Sequence, residues 1–231
     1  MINGKKVVSM IPIKLNSERV KDKNIRRFFD GKYLVEFIAS AAMGSRYLDE
    51  VYVYCSDERI RNYIPQEVRF LQRPGFLDGN DRNCNDIIRE FIKAVDADIY
   101  CVNHATAPFT CSGSIDRCIE AVGNDNEYDS AFLVRKIQTF FWSDGKPVNF
   151  DLQHFPRTQD LEPVYTETSG AHVFTREVFE RFDRRVGEHP CLVETGELES
   201  LDIDTEEEMT EAQAIYWYMQ QQKKQQGRSA R

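Results

Sequence analysis

The apolar positions of this chain follow two alternating rhythms. Short runs rich in β-branched and aromatic residues, at 5–13, 51–55, 68–71, 98–102, 130–134, 171–174 and 190–193, read as strands. Between them, at 34–43, 86–95, 114–122 and 176–182, apolar residues recur three and four apart, which predicts amphipathic helices. Ser56 and Asp57 form an N-cap pair for a further helical turn over 58–63. Strand and helix alternating across short connections is the signature of parallel βαβ units. The chain therefore predicts an α/β doubly wound domain.

That rhythm breaks between 138 and 170. Thr139, Phe140, Phe141 and Trp142, then a Ser-Asp-Gly-Lys turn, then Val148, Asn149 and Phe150 read as a hairpin followed by polar loop to Pro163. This excursion, residues 137–170, either covers a site or pairs with a partner chain, or else its aromatics close the domain's own core. A last strand is expected at 200–204, before a C-terminal helix to about Gln222. The resulting picture is one domain over 1–222, with 223–231 a fraying low-complexity tail.

With 231 residues, 41% hydrophobic and 29% charged, the chain can fill a core, which excludes global disorder. A formal net charge of −8 argues against a general nucleic-acid or anionic-membrane binder. No apolar run approaches the ~18 residues a membrane span needs. The opening MINGKKVVSMIPI has lysines before an apolar stretch but no small-residue cleavage site after it, so a soluble, cytoplasmic protein is expected. The six cysteines lack CxxC spacing and read as reduced thiols.

Against the acidic whole, residues 14–27 carry six cations (Lys14, Arg19, Lys21, Lys23, Arg26, Arg27) and two acids. A basic loop following the first strand offers cations, backbone N–H groups and the Ser17 hydroxyl to a polyphosphate; a solvated charged loop is the other reading. The loop is neither a GxxxxGK[ST] nor a GxGxxG turn, since no glycine lies between Lys5 and Asp30. Near the other end, Asp202 and Asp204 stand two apart, so on a strand their carboxylates share a face, an arrangement suited to Mg²⁺. The same segment also fits a helix start, with Thr205 and Glu208 in capping-box spacing. His104 ends a predicted strand at the ligand edge; His154, His172 and His189 have no ligand spacing and read as structural or exposed.

The stretch IPIKLNSERVKDKNI at 11–25 resembles, without a gap, the opening motif IPARGGSKRIPGKNI of the acylneuraminate cytidylyltransferase (CMP-sialic acid synthetase) family. Further likenesses follow in the family's order: Arg73-Pro74 for RP, HATAPF at 104–109 for QPTSPL, FPRTQDL at 155–161 with Ser169-Gly170-Ala171, and SLDIDT at 200–205 for SIDIDT. The resemblance implies a Rossmann-like nucleotidyltransferase fold, a mostly parallel sheet with helices on both faces plus a small β-hairpin excursion. It also implies Mg²⁺ dependence, a homodimer formed through the excursion, and transfer of CMP from CTP to the hydroxyl of an acidic sugar. By position, Lys14, Ser17, Arg19 and Lys23 would hold the triphosphate, with Lys23, Arg19 and Lys14 the catalytic cations. Asn24 and Arg73 would face the nucleoside, His104 and Arg157 the acceptor, and Asp202 and Asp204 the metal.

Several positions depart from the family pattern. Lys14 replaces an arginine, Glu18 a lysine and His104 a glutamine. Thr110 ends the 104–110 segment where relatives have an arginine, and Glu167 or Thr168 stands where relatives have another. These departures fall mostly on the acceptor side, so a non-sugar acid such as a phosphonate, or a catalytically weak nucleotide-binding relative, are the competing readings.

Overall fold

Strand β1, Val7–Ile13, is buried along almost its whole length, as a continuous apolar run predicts for a strand covered on both faces. In the computed structural model, which describes residues 1–17, 20–28, 30–79, 81–124 and 127–229, β1 lies inside a seven-stranded sheet. The other strands are β2 (Glu50–Cys55), β3 (Arg69–Gln72), β4 (Ile99–Val102), β5 (Ser130–Ile137), β8 (Val164–Thr175) and β9 (Pro190–Thr195). Their order is β3-β2-β1-β4-β8-β5-β9. β8 runs antiparallel to both neighbours and the remaining pairings are parallel. The excursion contributes a separate small sheet of β6 (Trp142–Ser143) and β7 (Lys146–Pro147).

Alternation along β1 divides the core. Val7, Ile11 and Ile13 pack with α1 (Leu34–Met43) and α3 (Ser112–Gly123). Val8 and Met10 pack on the opposite face with α2 (Cys84–Ala94) and α4 (Arg176–Phe182). A third cluster lies under α5 (Glu206–Ser229), where Met209, Ala212 and Tyr216, at helical spacing, meet Phe28, Leu34 and Phe109.

Three expectations change. Residues 201–204 form no strand; the segment is extended because other elements clamp it, as described below. The hairpin narrows to two residues a side, while the following strand starts earlier, at Val164. α5 continues past Gln222 to Ser229. The excursion's aromatics pack on one another, Phe140, Trp142, Phe150 and Phe155 with centroids 4.6–5.2 Å apart, and leave Trp142 and Phe155 exposed.

Candidate functional site

β1 and β4 are parallel neighbours, and chain order reverses between them, with β2 and β3 lying on one side and β8 on the other. At such a switch point a crevice opens outside the strands' carboxyl ends. Lys14 follows β1 and His104 follows β4 by two residues, so both sit at that crevice. They line one cavity of about 360 Å³ together with Arg73, Asp78, Arg82 and Cys84. Three site candidates scattered across the sequence thus share one wall. A second cavity, about 350 Å³, lies beside the loop after β1 and is lined by Asn16, Asp22, Asp57 and Arg59, sharing Asp78 with the first.

The loop after β1 is folded back on itself. Asp22 adopts a left-handed conformation, φ 54°, ψ 28°, and turns the chain into the 3-10 turn Lys23–Ile25; Asp tolerates that region better than most residues. Asn24 Nδ2 donates to the Lys14 carbonyl at 2.9 Å, pinning the turn to the end of β1. Lys23 is 9% exposed, and its ammonium donates to the Ile203 carbonyl at 2.7 Å and to Asp204 Oδ1 at 3.2 Å. The basic loop and the acidic segment therefore meet.

Three contacts hold the acidic segment extended without a sheet ladder. Ile203 N donates to the Thr106 carbonyl at 2.9 Å, Lys23 takes the Ile203 carbonyl, and Ser169 Oγ donates to Asp202 Oδ2 at 2.7 Å. Asp202 Oδ1 is buried with no hydrogen-bond partner among the described residues. Asp204 keeps a side chain 41% exposed. Its backbone N–H and that of Thr205 donate to Glu208 Oε2 at 2.7 and 2.8 Å, while Thr205 Oγ1 accepts from Glu208 N at 3.2 Å. This is the capping box read from the sequence.

Ser169 joins the two groups. Its carbonyl accepts from His104 N at 3.1 Å while its hydroxyl holds Asp202. The β5–β8 register shifts between Phe132 and Val134, opposite residues 168–171, a bulge that releases these groups from the ladder. Gly170 is required there: a Cβ on it would stand 2.5 Å from Thr110 Oγ1 and 3.0 Å from Leu133 Cδ1. The Gly170 carbonyl accepts from Asn103 Nδ2 at 2.8 Å, and Asn103 Oδ1 accepts from Ser9 Oγ at 2.7 Å. Asn103, fully buried, thus braces β1, β4 and β8. Sequence reasoning missed it; the available signal was a polar residue closing an apolar strand.

Arg73 is 2% exposed, donates from one terminal nitrogen to Asp78 Oδ1 at 2.5 Å, and leaves Nε buried without a partner among the described residues. Burial, with the Arg185 guanidinium adding to it, pushes His104 down to about 3. The ring is neutral near pH 7, and a group so weakly basic offers little driving force as a general base. Ser17 is half-buried in the loop. Arg19 and Glu18 lie outside the described residues. Arg157 is exposed on the excursion, its guanidinium 2.7 and 3.0 Å from the Asp160 carboxylate, and is not brought to the crevice by these contacts. Among the described residues no helix is long and apolar enough to cross a membrane.

A family model described as cytidylyltransferase matches residues 8–141. An N-acylneuraminate cytidylyltransferase from Oncorhynchus mykiss is 23% identical over 185 residues, an alignment covering 76% of this chain and 42% of that protein. The chain thus spans less than half the length of the curated relative it matches. A solved CMP:2-keto-3-deoxy-manno-octonic acid synthetase complexed with CTP superposes with TM-score 0.69 at 15% identity, covering 93% of this chain and 99% of that one. A 4-diphosphocytidyl-2C-methyl-D-erythritol synthase from Anaerococcus prevotii DSM 20548 gives TM-score 0.64 at 15% identity, covering 94% and 98%. At such identities the likeness is one of fold, and it bears out the α/β nucleotidyltransferase-like architecture.

Proposed function

The chain belongs to the cytidylyltransferase family, and from that premise we propose that it transfers CMP from CTP to a hydroxyl of an acidic sugar, releasing pyrophosphate. The observation that carries the reading is the junction of Lys23 with the Ile203 carbonyl and Asp204, which brings a cation of the basic loop against the acidic segment before α5. The acceptor oxygen bonds to the α-phosphorus, the bond from that phosphorus to the bridging oxygen breaks, and the acceptor's proton leaves to solvent. Such a reaction asks the protein for positioning and charge neutralisation. Lys14 and Lys23 supply positive charge to the triphosphate, Arg19 adds to it from the same loop, and the Ser17 hydroxyl donates to a phosphate oxygen. Asn24 keeps the loop closed on β1, and Arg73 Nε offers a donor to the nucleoside. Neutral His104 offers a hydrogen bond to the acceptor.

Magnesium is the divalent ion this reading calls for, and the residues present fit it. Asp202 Oδ1 is a buried carboxylate oxygen without a partner among the described residues, and Asp204 adds a second carboxylate two residues on. Among the described residues no set of three or more His, Cys, Asp and Glu surrounds a point; two carboxylates suit an ion that keeps waters and takes phosphate oxygens as well. When bound, the ion supplies charge neutralisation at the phosphate oxygens.

The excursion serves a second copy of the chain in this reading. Trp142 and Phe155 are 54% and 61% exposed beside their aromatic neighbours, an apolar patch for pairing, and Arg157 would reach the neighbour's acceptor. The test is a coupled pyrophosphate assay crossing four nucleoside triphosphates with a set of sugar acids and phosphonates. Release with CTP and a sugar acid is expected; release with another nucleotide, or with phosphonates alone, overturns the reading.

A further inference from the structure

The cavity holding Lys14, Arg73 and His104 continues sideways. Asn83 and Cys84, at the start of α2, line both it and an adjoining groove of about 340 Å³ whose other wall is Arg184, Arg185 and Val186, after α4. Across the two linings stand five cations, Lys14, Arg73, Arg82, Arg184 and Arg185, against three acids, Asp78 in the lining and Asp81 and Glu167 paired with Arg82 and Arg185, a basic excess on a chain whose net charge is −8. That concentration calls for an anion.

Arg185 is held in place. Its guanidinium donates to Glu167 Oε1 at 2.5 Å and lies 3.6 Å from Cys84 Sγ. Glu167 Oε1 is also 2.6 Å from His172 Nε2, and His172 is 2% exposed and stacked on Phe132, centroids 5.8 Å apart. The His172 bond and Arg185 keep Glu167 ionised, down to about 2, and burial holds the His172 ring neutral, so Nε2 donates. Glu167, the acid found where an arginine was expected, thus orients an arginine arriving from another element. The Arg185 side chain remains 23% exposed, with N–H groups beyond those two contacts.

We propose that the groove between α2 and the turn after α4 seats the acceptor's carboxylate, with Arg185 as its anchoring and specificity-determining residue. The proposal rests on the cytidylyltransferase reading and deepens it. The crevice then has two charged ends. Lys23, Asp202 and Asp204 serve the triphosphate near the α5 cluster, and the Arg185 fork, flat and bidentate, matches a carboxylate on the α2–α4 side. His104 stands between them.

The experiment measures binding calorimetrically, with CTP already bound as a non-hydrolysable analogue. Its probes are 2-keto-3-deoxy-manno-octonic acid, N-acetylneuraminate and the carboxamide of each. The wild-type protein is expected to prefer at least one acid over its carboxamide by about 30-fold or more, and Arg185→Ala to reduce that preference to within about threefold. CTP-analogue affinity should stay within about twofold, which also reports that the variant is folded. Arg185→Lys keeps the charge but loses the fork, and is expected to fall between; it carries the test if the alanine variant fails to fold. Retained preference in the variants, a loss appearing in CTP affinity instead, or no acid binding by the wild type each overturns the assignment. Pyrophosphate release by the wild type, run in parallel, reports on the cytidylyltransferase reading separately.

Discussion

Lys23 and Asp204 are 181 positions apart in the chain, yet Nζ of one stands 3.2 Å from Oδ1 of the other. The same ammonium donates to the Ile203 carbonyl, so it ties the loop after β1 to the segment before α5. Lys23→Met removes the charge while keeping an aliphatic stem. In the pyrophosphate assay, kcat is expected to fall about 10²-fold or more, the scale of one lost electrostatic stabiliser, and Asp204→Asn to fall similarly. Turnover near the wild-type level in both would exclude these residues from the chemistry.

The Ser169 hydroxyl orients Asp202 at 2.7 Å. Ser169→Ala is expected to raise the Mg²⁺ concentration needed for half-maximal rate by roughly 10-fold, the usual effect of losing an orienting partner behind a metal ligand. The saturated rate should change less. A metal titration of the variant checks this, and an unchanged midpoint would remove Asp202 from the metal site.

Gly170 leaves no room for a side chain beside Thr110 and Leu133. Gly170→Ala is expected to lower stability by about 1–3 kcal/mol, as overpacking does, read as a shift of the urea midpoint. Gly170→Ala combined with Thr110→Ser, which removes the methyl but not the oxygen, should recover only part of it.

His104 sits at about 3 in the folded protein against 6.5 as an ordinary histidine. The unfolded chain therefore binds more protons between those values, and stability rises with pH across that window and is lost as pH falls through it. Glu167, held down to about 2 from 4.5, adds a second loss below pH 4.5. Urea midpoints are expected to drop on acidification from pH 6.5, and His104→Gln to flatten the upper part of that slope. Above pH 6 the rate profile should carry no limb from His104, so its shape survives the same substitution; a limb near neutrality that vanishes in the variant would restore a proton-transfer role.

Elements with a strong local period were legible in the sequence. α4 is Arg176–Phe182 as the spacing predicts, and α1 is Leu34–Met43. Residues 201–204 were not, because what extends them is non-local: Ile203 is held by Thr106 and Lys23, not by a neighbouring strand. Lys14, Arg73 and His104 could be picked out one by one at strand ends, and the sheet order then brings them to one cavity. Asn103 and Arg185 escaped because a buried polar brace and an arginine after a helix have no motif; only their partners reveal them.

The β8 bulge has a consequence for how the chain tolerates change. Opposite Leu133 the strand abandons its ladder, and the freed carbonyls of Ser169 and Gly170 go to His104 and Asn103. The ladder resumes on both sides, with His172 opposite Phe132 and Glu167 opposite Val134, so a residue added or deleted in 168–171 would pull Ser169 or Gly170 away from those partners. Length is therefore constrained here by the bonds the bulge carries, while the tip at Asp144 and Gly145, outside the seven-stranded ladder, is under no such rule.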